Sequence, residues 1–219
     1  MKQSYKVALL IFLVLLADQF SKIYIKTHFN YGDSVKMFGL DWARLNFVEN
    51  EGMAFGIIFD WSYGKLMLST FRVFMVVGIF WYVRHLIQTK APVGFVYCVG
   101  LIAAGAVGNI IDSAFYGMIF DVSGDQTYEL AKFVPFGEGY APFLHGKVVD
   151  MFYFPLTTLH FPEWVPYLGG SQYRFFSYIF NVADAAITVG VFCILVFQRR
   201  FLQQGFKQPA AQGNDPSIA

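Results

Sequence analysis

The amino-acid sequence predicts an α-helical membrane protein with four transmembrane helices, and two observations carry this prediction. Charged residues make up 14% of the 219 residues, whereas hydrophobic residues make up 56% and aromatic residues 20%. Soluble domains usually contain about 25% charged residues. In addition, four long apolar runs are separated by polar or mixed segments. The net charge of +1 gives no reason to expect a nucleic-acid partner.

The first apolar run begins like a secretory signal peptide but is predicted to remain as a transmembrane span. Two lysines precede the apolar residues 7–17, as in signal peptides. The following residues 18–22, with the sequence DQFSK, are not a small-residue cleavage site, and the apolar pattern then resumes. We therefore expect an uncleaved helix over about residues 5–26, in which Asp18 and Lys22 are four positions apart and can pair. The spacing does not distinguish a pair at the membrane surface from a pair within a functional site.

The first loop, residues 28–62, is predicted to form a small sheet at the membrane surface. Strands are expected at Val35–Leu40 and Leu45–Glu49, where aromatic and aliphatic residues lie between glycines. The segment NEGMAFG at residues 50–56 follows, and its small residues would allow a ligand to approach the backbone closely. A plain β-turn explains the same residues equally well.

The second span is expected over residues 64–83 and the third over residues 93–112, joined by a short basic loop. Arg72 lies inside the second span, which is unusual for a transmembrane helix. Its guanidinium either extends to the membrane interface or faces a carboxylate in the protein interior. The sequence favours neither interpretation.

One helix face at the end of the third span has an unusual composition. Its residues follow the spacing i, i+3, i+4 and i+7, and they are Gly105, Gly108, Asn109 and Asp112. A surface that faces lipid would not combine glycines with polar groups in this way. A close helix–helix contact that leads to a polar cavity explains the pattern. A tight packing seam with Asp112 as an interfacial cap is the alternative.

Residues 113–173 form a loop that is too long for a simple connection. It contains Asp150 within the otherwise apolar segment 148–154. The aromatic-rich segment 156–167 has the composition of a segment that lies at a membrane interface. We therefore expect a folded or membrane-lying excursion, whose fold the sequence does not predict.

The fourth span is expected over residues 174–197, and residues 209–219 have the composition of a disordered tail. Residues 1–208 are accordingly expected to form a single membrane-embedded domain. Asp184 lies within the fourth span, where a carboxylate costs about 2.5–3.5 kcal/mol or more at mid-span. Asn181 lies three positions earlier, so the two side chains share a helix face.

The basic residues predict the orientation of the spans. With four spans, the lysines and arginines at the N-terminus, after the second span and after the fourth span all fall on one side. The positive-inside rule places that side and both termini in the cytoplasm. Both long loops then lie outside, and four carboxylates converge near the outer leaflet: Asp18, Asp112, Asp150 and Asp184.

Converging carboxylates predict acid–base chemistry. Two carboxyl groups in a partly dehydrated site cannot both ionise easily, so one keeps its proton while the other acts as a base. Such a pair can activate water and protonate a leaving amine, as in an aspartic protease. The residues alone do not identify which two aspartates pair. They also leave a proton-coupled transporter and a non-catalytic membrane scaffold as alternatives.

Five motifs in chain order resemble those of the lipoprotein signal peptidases, the type II signal peptidases of bacterial membranes. The segment DQFSK at 18–22 resembles the family's D-Q-x-[ST]-K, and NEGMAFG at 50–56 resembles N-x-G-x-A-F. The segment GAVGNIID at 105–112 resembles G-[GA]-x-G-N-x-x-D-R. Near the end, VVD at 148–150 resembles V-V-D-F, and FNVADAAI at 180–187 resembles F-N-x-A-D-x-x-I. Each motif alone is modest, but five in order on four spans are specific.

This resemblance implies a catalytic pair, Asp150 and Asp184, with no cofactor and no metal. It also implies supporting or substrate-binding roles for eight further residues: Asp18, Lys22, Asn50, Gly52, Gly108, Asn109, Asp112 and Asn181. The substrate would be a prolipoprotein whose lipobox cysteine carries diacylglycerol, and cleavage just before that cysteine would release the signal peptide. The first loop would form the family's small extracytoplasmic β-cradle, which holds the substrate, and the second would be a long extracytoplasmic loop.

The resemblance further implies a monomeric, multi-pass protein of the bacterial cytoplasmic (inner) membrane, in contact with membrane lipid. Its site would lie near the outer leaflet and would accept cyclic peptide inhibitors of the globomycin type. Two features depart from the family pattern. Ser113 stands where the family has arginine, and Arg72 and Lys147 are the candidate substitutes. The loop 113–173 is also longer than usual on both sides of Asp150.

Overall fold

The computed structural model describes residues 2–50, 64–124, 129–167, 169–199 and 201. Its first helices are α1 (Gln3–His28), α2 (Gly64–Gln88) and α3 (Val93–Ile111). After Ile111 the chain continues through a π-helical turn, Asp112–Tyr116, into the short helix α4 (Gly117–Ile119), and the last described helix is α5 (Val182–Phe197). By length and composition α1, α2 and the continuous helix Val93–Ile119 can cross a membrane, whereas α5 has 16 residues.

The central helix of the bundle is α3, which contacts α1, α2 and α5. Its apolar side chains are buried on several faces, as expected for a helix that is hydrophobic all round. They form a hydrophobic cluster with residues of the neighbouring helices: Val7, Val83, Leu86, Phe95, Val96 and Val99. By contrast, α1 and α2 expose large apolar side chains such as Phe12 and Phe74. This distribution is suited to a helix bundle whose periphery faces lipid.

Two glycines of α3 allow the neighbouring helices to approach closely. A β-carbon at Gly105 would collide with the backbone carbonyl of Ala183 in α5. At Gly108, a β-carbon would lie 2.5 Å from Asp18 Oδ2 and 3.1 Å from the Ala183 β-carbon. The glycine-containing face of the third helix is therefore a close helix–helix contact, as the sequence predicted.

A four-stranded antiparallel sheet lies where α1 ends and α5 begins. In spatial order its strands are β1 (Ser34–Lys36), β2 (Arg44–Asn50), β3 (Val148–Tyr153) and β6 (Ile179–Phe180). A separate antiparallel hairpin consists of β4 (Thr157–His160) and β5 (Gln172–Phe175). The sequence predicted a sheet from the first loop alone, whereas the sheet takes two strands from the first loop and two from the chain between α4 and α5. The pairing of β2 with β3 joins residues far apart in the chain, and no local pattern reveals it.

The predicted boundaries are correct for some elements and wrong for others. The first predicted strand is shorter than expected, because Met37–Gly39 form a 3-10 turn in which Phe38 has a positive φ of 52°. The fourth helix begins at Val182 rather than at residue 174. The reason is that Asn181 caps its first turn, while the preceding residues form β5 and β6.

Asp150 lies on a strand and not in a loop, which corrects the prediction. Its strand β3 is an interior strand of the sheet, between β2 and β6. A second hydrophobic cluster fastens this sheet to the helices, and its buried members are Ile25, Phe47, Tyr116, Phe120, Val149 and Met151. Next to it, the buried Lys26 of α1 forms an ion pair with Glu49 of β2 and donates to Ser123 Oγ at 2.7 Å. Asp150 is therefore held by regular, packed structure.

Candidate active site

Lys22 lies at the centre of a buried polar cluster where α1, α3 and α5 meet. Its ammonium nitrogen is 2.9 Å from Asp18 Oδ2, 2.9 Å from Asp112 Oδ2 and 2.9 Å from Asn109 Oδ1. Three N–H donors thus meet three acceptors, so the buried ammonium group is fully hydrogen-bonded. Both Asp18 and Lys22 are buried, so the pair is part of the protein interior and not an exposed ion pair.

Asp18 and Asp112 also bind the backbone of α5 and β3, the two elements that carry Asp184 and Asp150. Asp18 Oδ1 accepts the backbone N–H of Ala183, in the first turn of α5, at 2.9 Å. Asp112 Oδ2 accepts the backbone N–H of Val149, on β3, at 3.3 Å. Asp112 is fully buried and follows the last residue of α3, at the point where three elements meet. The cluster around Lys22 therefore positions both α5 and β3.

Asp184 lies in the first turn of α5, in a capping box with Asn181. Asn181 Oδ1 accepts the backbone N–H of Asp184 at 2.9 Å, and Asp184 Oδ2 accepts the backbone N–H of Asn181 at 3.4 Å. Asn109 Nδ2 donates to Asp184 Oδ1 at 2.9 Å. These donors and the N-terminal end of α5 all face the Asp184 carboxyl group, so its orientation is fixed.

Asp150 approaches the same region from β3. Asn181 Nδ2 donates to Asp150 Oδ1 at 2.7 Å, and Asn50 Nδ2 donates to Asp150 Oδ2 at 3.3 Å. Burial and, next, the negative charge of Asp184 raise the pKa of Asp150 from 3.8 to about 7, against the opposing effect of the two amide donors. The Asp150 carboxyl group therefore binds a proton at pH values where an ordinary aspartate is ionised.

Asn181 links the two aspartates through opposite ends of its amide. Its nitrogen donates to Asp150, and its oxygen accepts from the backbone of Asp184. The same nitrogen lies 3.2 Å from Asn109 Oδ1, which also accepts from Lys22. One hydrogen-bonded network therefore contains both aspartates, with a raised pKa on one carboxyl group and donors to the carboxylate form of the other. Such a pair can take a proton from water and donate one to a reacting group.

The structure brings together nine of the ten predicted site residues. The tenth, Gly52, lies outside the described residues with the rest of segment 51–56. Ser113, which stands at the position of the family arginine, turns its hydroxyl back onto its own helix and donates to the Asn109 carbonyl at 3.0 Å. It therefore does not substitute for a cationic side chain.

Several polar residues of the region were not predicted as site residues. Gln19 Nε2 lies 3.0 Å from Asp112 Oδ1 and 3.2 Å from the Gly108 carbonyl, and Tyr116 donates its hydroxyl to Gln19 Oε1 at 3.2 Å. Lys26 was also missed. The sequence could have indicated Gln19 and Lys26. Gln19 is part of the DQFSK motif, and Lys26 lies four positions after Lys22 on the same helix face.

Tyr178 lies beside the two aspartates, in the segment before β6. Burial raises the pKa of its hydroxyl, and the charges of Asp184 and Asp150 raise it further, whereas Arg72 lowers it. Tyr178 is also partly exposed, so it stands where the polar network meets the surface. Its pattern in the sequence is that of an ordinary aromatic residue in a loop, and nothing there marks it.

Comparison with known proteins adds the identity of the family. The family model described as signal peptidase (SPase) II matches residues 10–199 of this chain. The chain belongs to the signal peptidase II family. As a member, it is a membrane aspartic protease. This finding decides between the protease, the transporter and the scaffold that the residues alone left open.

Curated members of the signal peptidase II family resemble this chain over most of its length. The lipoprotein signal peptidase of Porphyromonas gingivalis is 43% identical over 195 residues, which cover 89% of this chain and 83% of the relative. The lipoprotein signal peptidase of Amoebophilus asiaticus is 34% identical over 203 residues, which cover 91% of this chain and 79% of the relative.

Two solved structures of bacterial membrane enzymes, both determined by the in meso method, share the fold of this signal peptidase II family member. The structure at 2.3 Å resolution gives a TM-score of 0.56 with 21% identity and covers 94% of this chain and 93% of its own. The structure at 1.9 Å resolution gives a TM-score of 0.54 with 22% identity and covers 87% and 90%. The shared fold is a set of three to four apolar helices with a small antiparallel sheet.

Proposed function

We propose that this chain is a membrane aspartic endopeptidase that removes the signal peptide from diacylglyceryl-modified prolipoproteins, cutting just before the lipidated lipobox cysteine. The observation that carries the proposal is the buried network in which Asn181 contacts both Asp150 and Asp184. The relatives named lipoprotein signal peptidase support the choice of substrate. In this proposal the two aspartates are the catalytic residues.

Asp184 is the general base of the proposed reaction. It lies at the N-terminus of α5, where the helix dipole stabilises a negative charge. The amide of Asn109 donates to one of its oxygens, and the backbone of Asn181 donates to the other. These contacts orient the carboxyl group to receive a proton from water.

Asp150 is the proton donor of the proposed reaction. Its pKa of about 7, raised by burial and by Asp184, supports a protonated carboxyl group at neutral pH. Asn181 contacts Oδ1 at 2.7 Å, whereas the contact of Asn50 with Oδ2 is longer, at 3.3 Å. We assign the acidic proton to Oδ2, because this oxygen is less tightly held by a donor.

The proposed reaction has two steps. In the first, Asp184 takes a proton from a water molecule while the water oxygen attacks the scissile carbonyl carbon, and Asp150 donates its proton to the developing oxyanion. In the second, the C–N bond of the tetrahedral intermediate breaks, Asp184 gives its proton to the leaving amine, and Asp150 takes a proton back from a hydroxyl group of the intermediate. The proton balance closes, because the base ends ionised and the acid ends protonated.

The remaining site residues position this pair. Asn50, Asn109 and Asn181 orient the two carboxyl groups by direct hydrogen bonds. We assign structural roles to the residues around Lys22, which hold α5 and β3 against α3: Asp18, Lys22, Gly108 and Asp112. By resemblance to its family motif, Gly52 is proposed to contact the substrate backbone. Globomycin-type cyclic peptides are proposed to occupy the same site.

Arg72 is the better candidate for the missing family arginine. It lies on the inward face of α2 at heptad spacing from buried residues of the same helix, which include Ser69 and Val83. Its charge acts on Tyr178, as do the charges of the two aspartates. Lys147 instead lines a cavity of about 400 Å³ with Glu49, whose side chain leaves β2 on the face opposite to Asn50.

The proposed setting is the bacterial cytoplasmic (inner) membrane, crossed four times. We propose that α5 forms the fourth span, that residues 1–208 act as one membrane-embedded domain, and that residues 209–219 form a tail. Both termini would lie in the cytoplasm, as the distribution of lysine and arginine supports. The site would then lie near the outer leaflet. Because one chain supplies both aspartates and the donors around them, the proposed active unit is a monomer.

The proposal is tested by replacing each aspartate of the pair with its uncharged isostere. Asp150→Asn and Asp184→Asn, purified separately, should each process a diacylglyceryl-modified lipobox peptide more slowly by a factor of about 10²–10⁴, because each loses its acid–base function. The rate is measured by the release of the signal peptide. Asp41→Asn is the matched control, since Asp41 is exposed and its carboxylate forms an ion pair with Lys36 on the surface.

Three outcomes distinguish the parts of the proposal. Normal processing by Asp184→Asn would contradict the catalytic assignment. Equal processing of the peptide with and without its diacylglycerol would contradict the proposed substrate but not the proteolysis. A slow Asp41→Asn control would show that the loss is not specific to the pair.

A further inference from the structure

The hairpin β4–β5 protrudes from the molecule between the two strands that flank the active site. It leaves the sheet after β3, which carries Asp150, and returns at β6, directly before the helix that carries Asp184. It makes few contacts with the other helices and strands. None of the residues from 154 to 178 whose exposure is described is buried. The hairpin is therefore a surface feature, and its packing does not explain its composition.

The hairpin is aromatic and almost free of charge, including its tip, which we define as residues 161–171 between β4 and β5. Residues 154–171 contain one carboxylate, that of Glu163, and no lysine or arginine. Trp164 is 80% exposed, and Tyr167 is fully exposed. Leu156 and Leu159 also expose about half of their side chains. A protrusion into water rarely presents so many large apolar groups without a partner.

The tip holds these side chains in a defined loop. The backbone N–H of Phe161 donates to Ser171 at 3.0 Å, and that of Gly170 donates to Phe161 at 3.0 Å, which continues the hairpin pairing beyond the strands. The N–H of Gly169 donates to the Val165 carbonyl at 2.8 Å. A β-carbon at Gly169 would collide with the backbone of Glu163, so the loop is packed against itself. Trp164 and Tyr167 are thus presented outward by an ordered loop.

We propose that the tip of the hairpin β4–β5 inserts Trp164 and Tyr167 into the leaflet of the bilayer on the side where the sheet lies. Tryptophan and tyrosine prefer the boundary between hydrocarbon and headgroups, because each has an apolar ring and a polar atom. The hairpin starts and ends at the level where α5 begins, which is the boundary of the helix bundle. An aromatic tip with one carboxylate fits this layer, whereas a site for a charged soluble partner would carry more charge.

The insertion of the tip would join the membrane surface directly to the active site. One arm of the hairpin continues from β3 and the other leads through the exposed Phe176 and Tyr178 into β6 and α5. A lipid-anchored tip would therefore hold the sheet at a constant depth relative to the bilayer. This inference concerns the position of the protein in the membrane and does not depend on the catalytic assignment.

The depth of Trp164 is the quantity to measure. The full chain, with its other three tryptophans replaced by phenylalanine (Trp42→Phe, Trp61→Phe and Trp81→Phe), is reconstituted in phosphatidylcholine and phosphatidylglycerol vesicles that contain brominated lipid. Bromine near the headgroup end of the acyl chain should quench more than half of the Trp164 emission, and bromine near the terminal methyl group should quench less. A matched variant that retains only Trp81, on the exposed surface of the apolar helix α2, is the positive control.

The proposal is overturned if brominated lipid quenches Trp81 but leaves Trp164 unaffected.

A second measurement keeps all four tryptophans, so it does not depend on whether the protein with replaced tryptophans folds. Tyr167→Cys, carrying a spin label in the Cys98→Ala and Cys193→Ala background, should be relaxed more by lipid-soluble oxygen than by a water-soluble nickel complex. The opposite order would place the tip in water and assign the hairpin to a soluble partner. Neither measurement reads out proteolysis.

Discussion

Asp150 shows at the scale of a single residue how the surroundings set the chemistry of a side chain. The same carboxyl group in an unfolded chain has a pKa of 3.8, and in this fold it has a pKa of about 7. Burial is the larger cause, and the charge of Asp184 is the next. The fold therefore keeps Asp150 protonated at higher pH than an ordinary aspartate, next to Asp184. This is the arrangement that the proposed acid and base require.

The raised pKa of Asp150 predicts a specific dependence of stability on pH. Between pH 3.8 and about 7 the folded protein holds a proton that the unfolded chain releases. The free energy of unfolding should therefore fall as the pH rises through this window, by up to about 1.4 kcal/mol per pH unit for this group. The Asp150→Asn variant has no carboxyl group to titrate at this position. Its free energy of unfolding, relative to that of the unsubstituted protein, should therefore increase as the pH rises from 3.8 to about 7. Guanidinium unfolding in detergent micelles at stepped pH values measures the difference.

Asp41→Asn is the control for this measurement. The adjacent Lys36 ammonium group lowers the pKa of Asp41, so its titration lies below the window in which Asp150 titrates. The Asp41 variant should follow the unsubstituted protein between pH 4 and 7. If the Asp150 variant also follows it, the carboxyl group is ionised throughout, and its assignment as the proton donor is wrong.

At the scale of the elements, α3 decides whether the site can assemble. Its glycines let Asp18 of α1 and the first turn of α5 meet across one helix face. On the same face Asn109 donates to Asp184, and Asp112 accepts from β3. The small residues in the middle of α3 let α1 and α5 approach. The polar residues toward its end bind α5 and β3, so α3 brings α1, α5 and β3 together at the site.

Gly108→Ala tests this role of α3. The new methyl group would lie 2.5 Å from Asp18 Oδ2, so α1 or α5 must move. We expect a loss of about 1–3 kcal/mol in stability, as for other overpacked cores, and slower cleavage because Asp184 moves with α5. Thermal unfolding and cleavage rate in the same micelles measure both effects.

Gly78→Ala is the matched control on α2. A β-carbon at Gly78 meets no atom within 4 Å, so the substitution introduces no collision. Alanine also favours the helix by up to about 1 kcal/mol relative to glycine. Equal losses in the Gly78 and Gly108 variants would mean that the close approach at α3 does not limit assembly of the site.

At the scale of the whole molecule, the proposed four-span arrangement predicts the depth of the site in the membrane. α5 has 16 residues, which corresponds to about 24 Å of helix and is shorter than a typical hydrocarbon core of about 30 Å. Because Asp184 lies in the first turn of this short helix, a four-span arrangement places the polar network slightly below the membrane surface. That depth suits a substrate whose lipid chains remain in the bilayer.

The proposed orientation predicts which surfaces can be labelled from outside. Phe38 is 93% exposed between β1 and β2, and Gln88 is exposed at the last residue of α2. In a background without Cys98 and Cys193, a membrane-impermeant maleimide should label Phe38→Cys in spheroplasts. It should label Gln88→Cys only after permeabilisation. The reverse pattern would invert the topology and place both termini outside.

The sequence by itself determined the class of protein and predicted the residues of the candidate site. Apolar runs, positive charges and helix-face spacing are local properties, so they predicted the membrane helices and the shared faces of Asp18 with Lys22 and of Asn109 with Asp112. They also marked Asn181 and Asp184, which are the N-cap and the third residue of one helix. The five motifs predicted the family and nine described members of the network.

Only the tertiary structure decided which buried side chains the four aspartates contact. Asp18 and Asp112 share the ammonium group of Lys22, whereas Asp150 and Asp184 share the amide of Asn181. The predicted position of Asp150 in a loop was wrong because strand pairing joins β3 to β2 and β6 over long stretches of chain. Helix periodicity is encoded within a few residues, but the register of a sheet depends on contacts that exist only after the chain has folded.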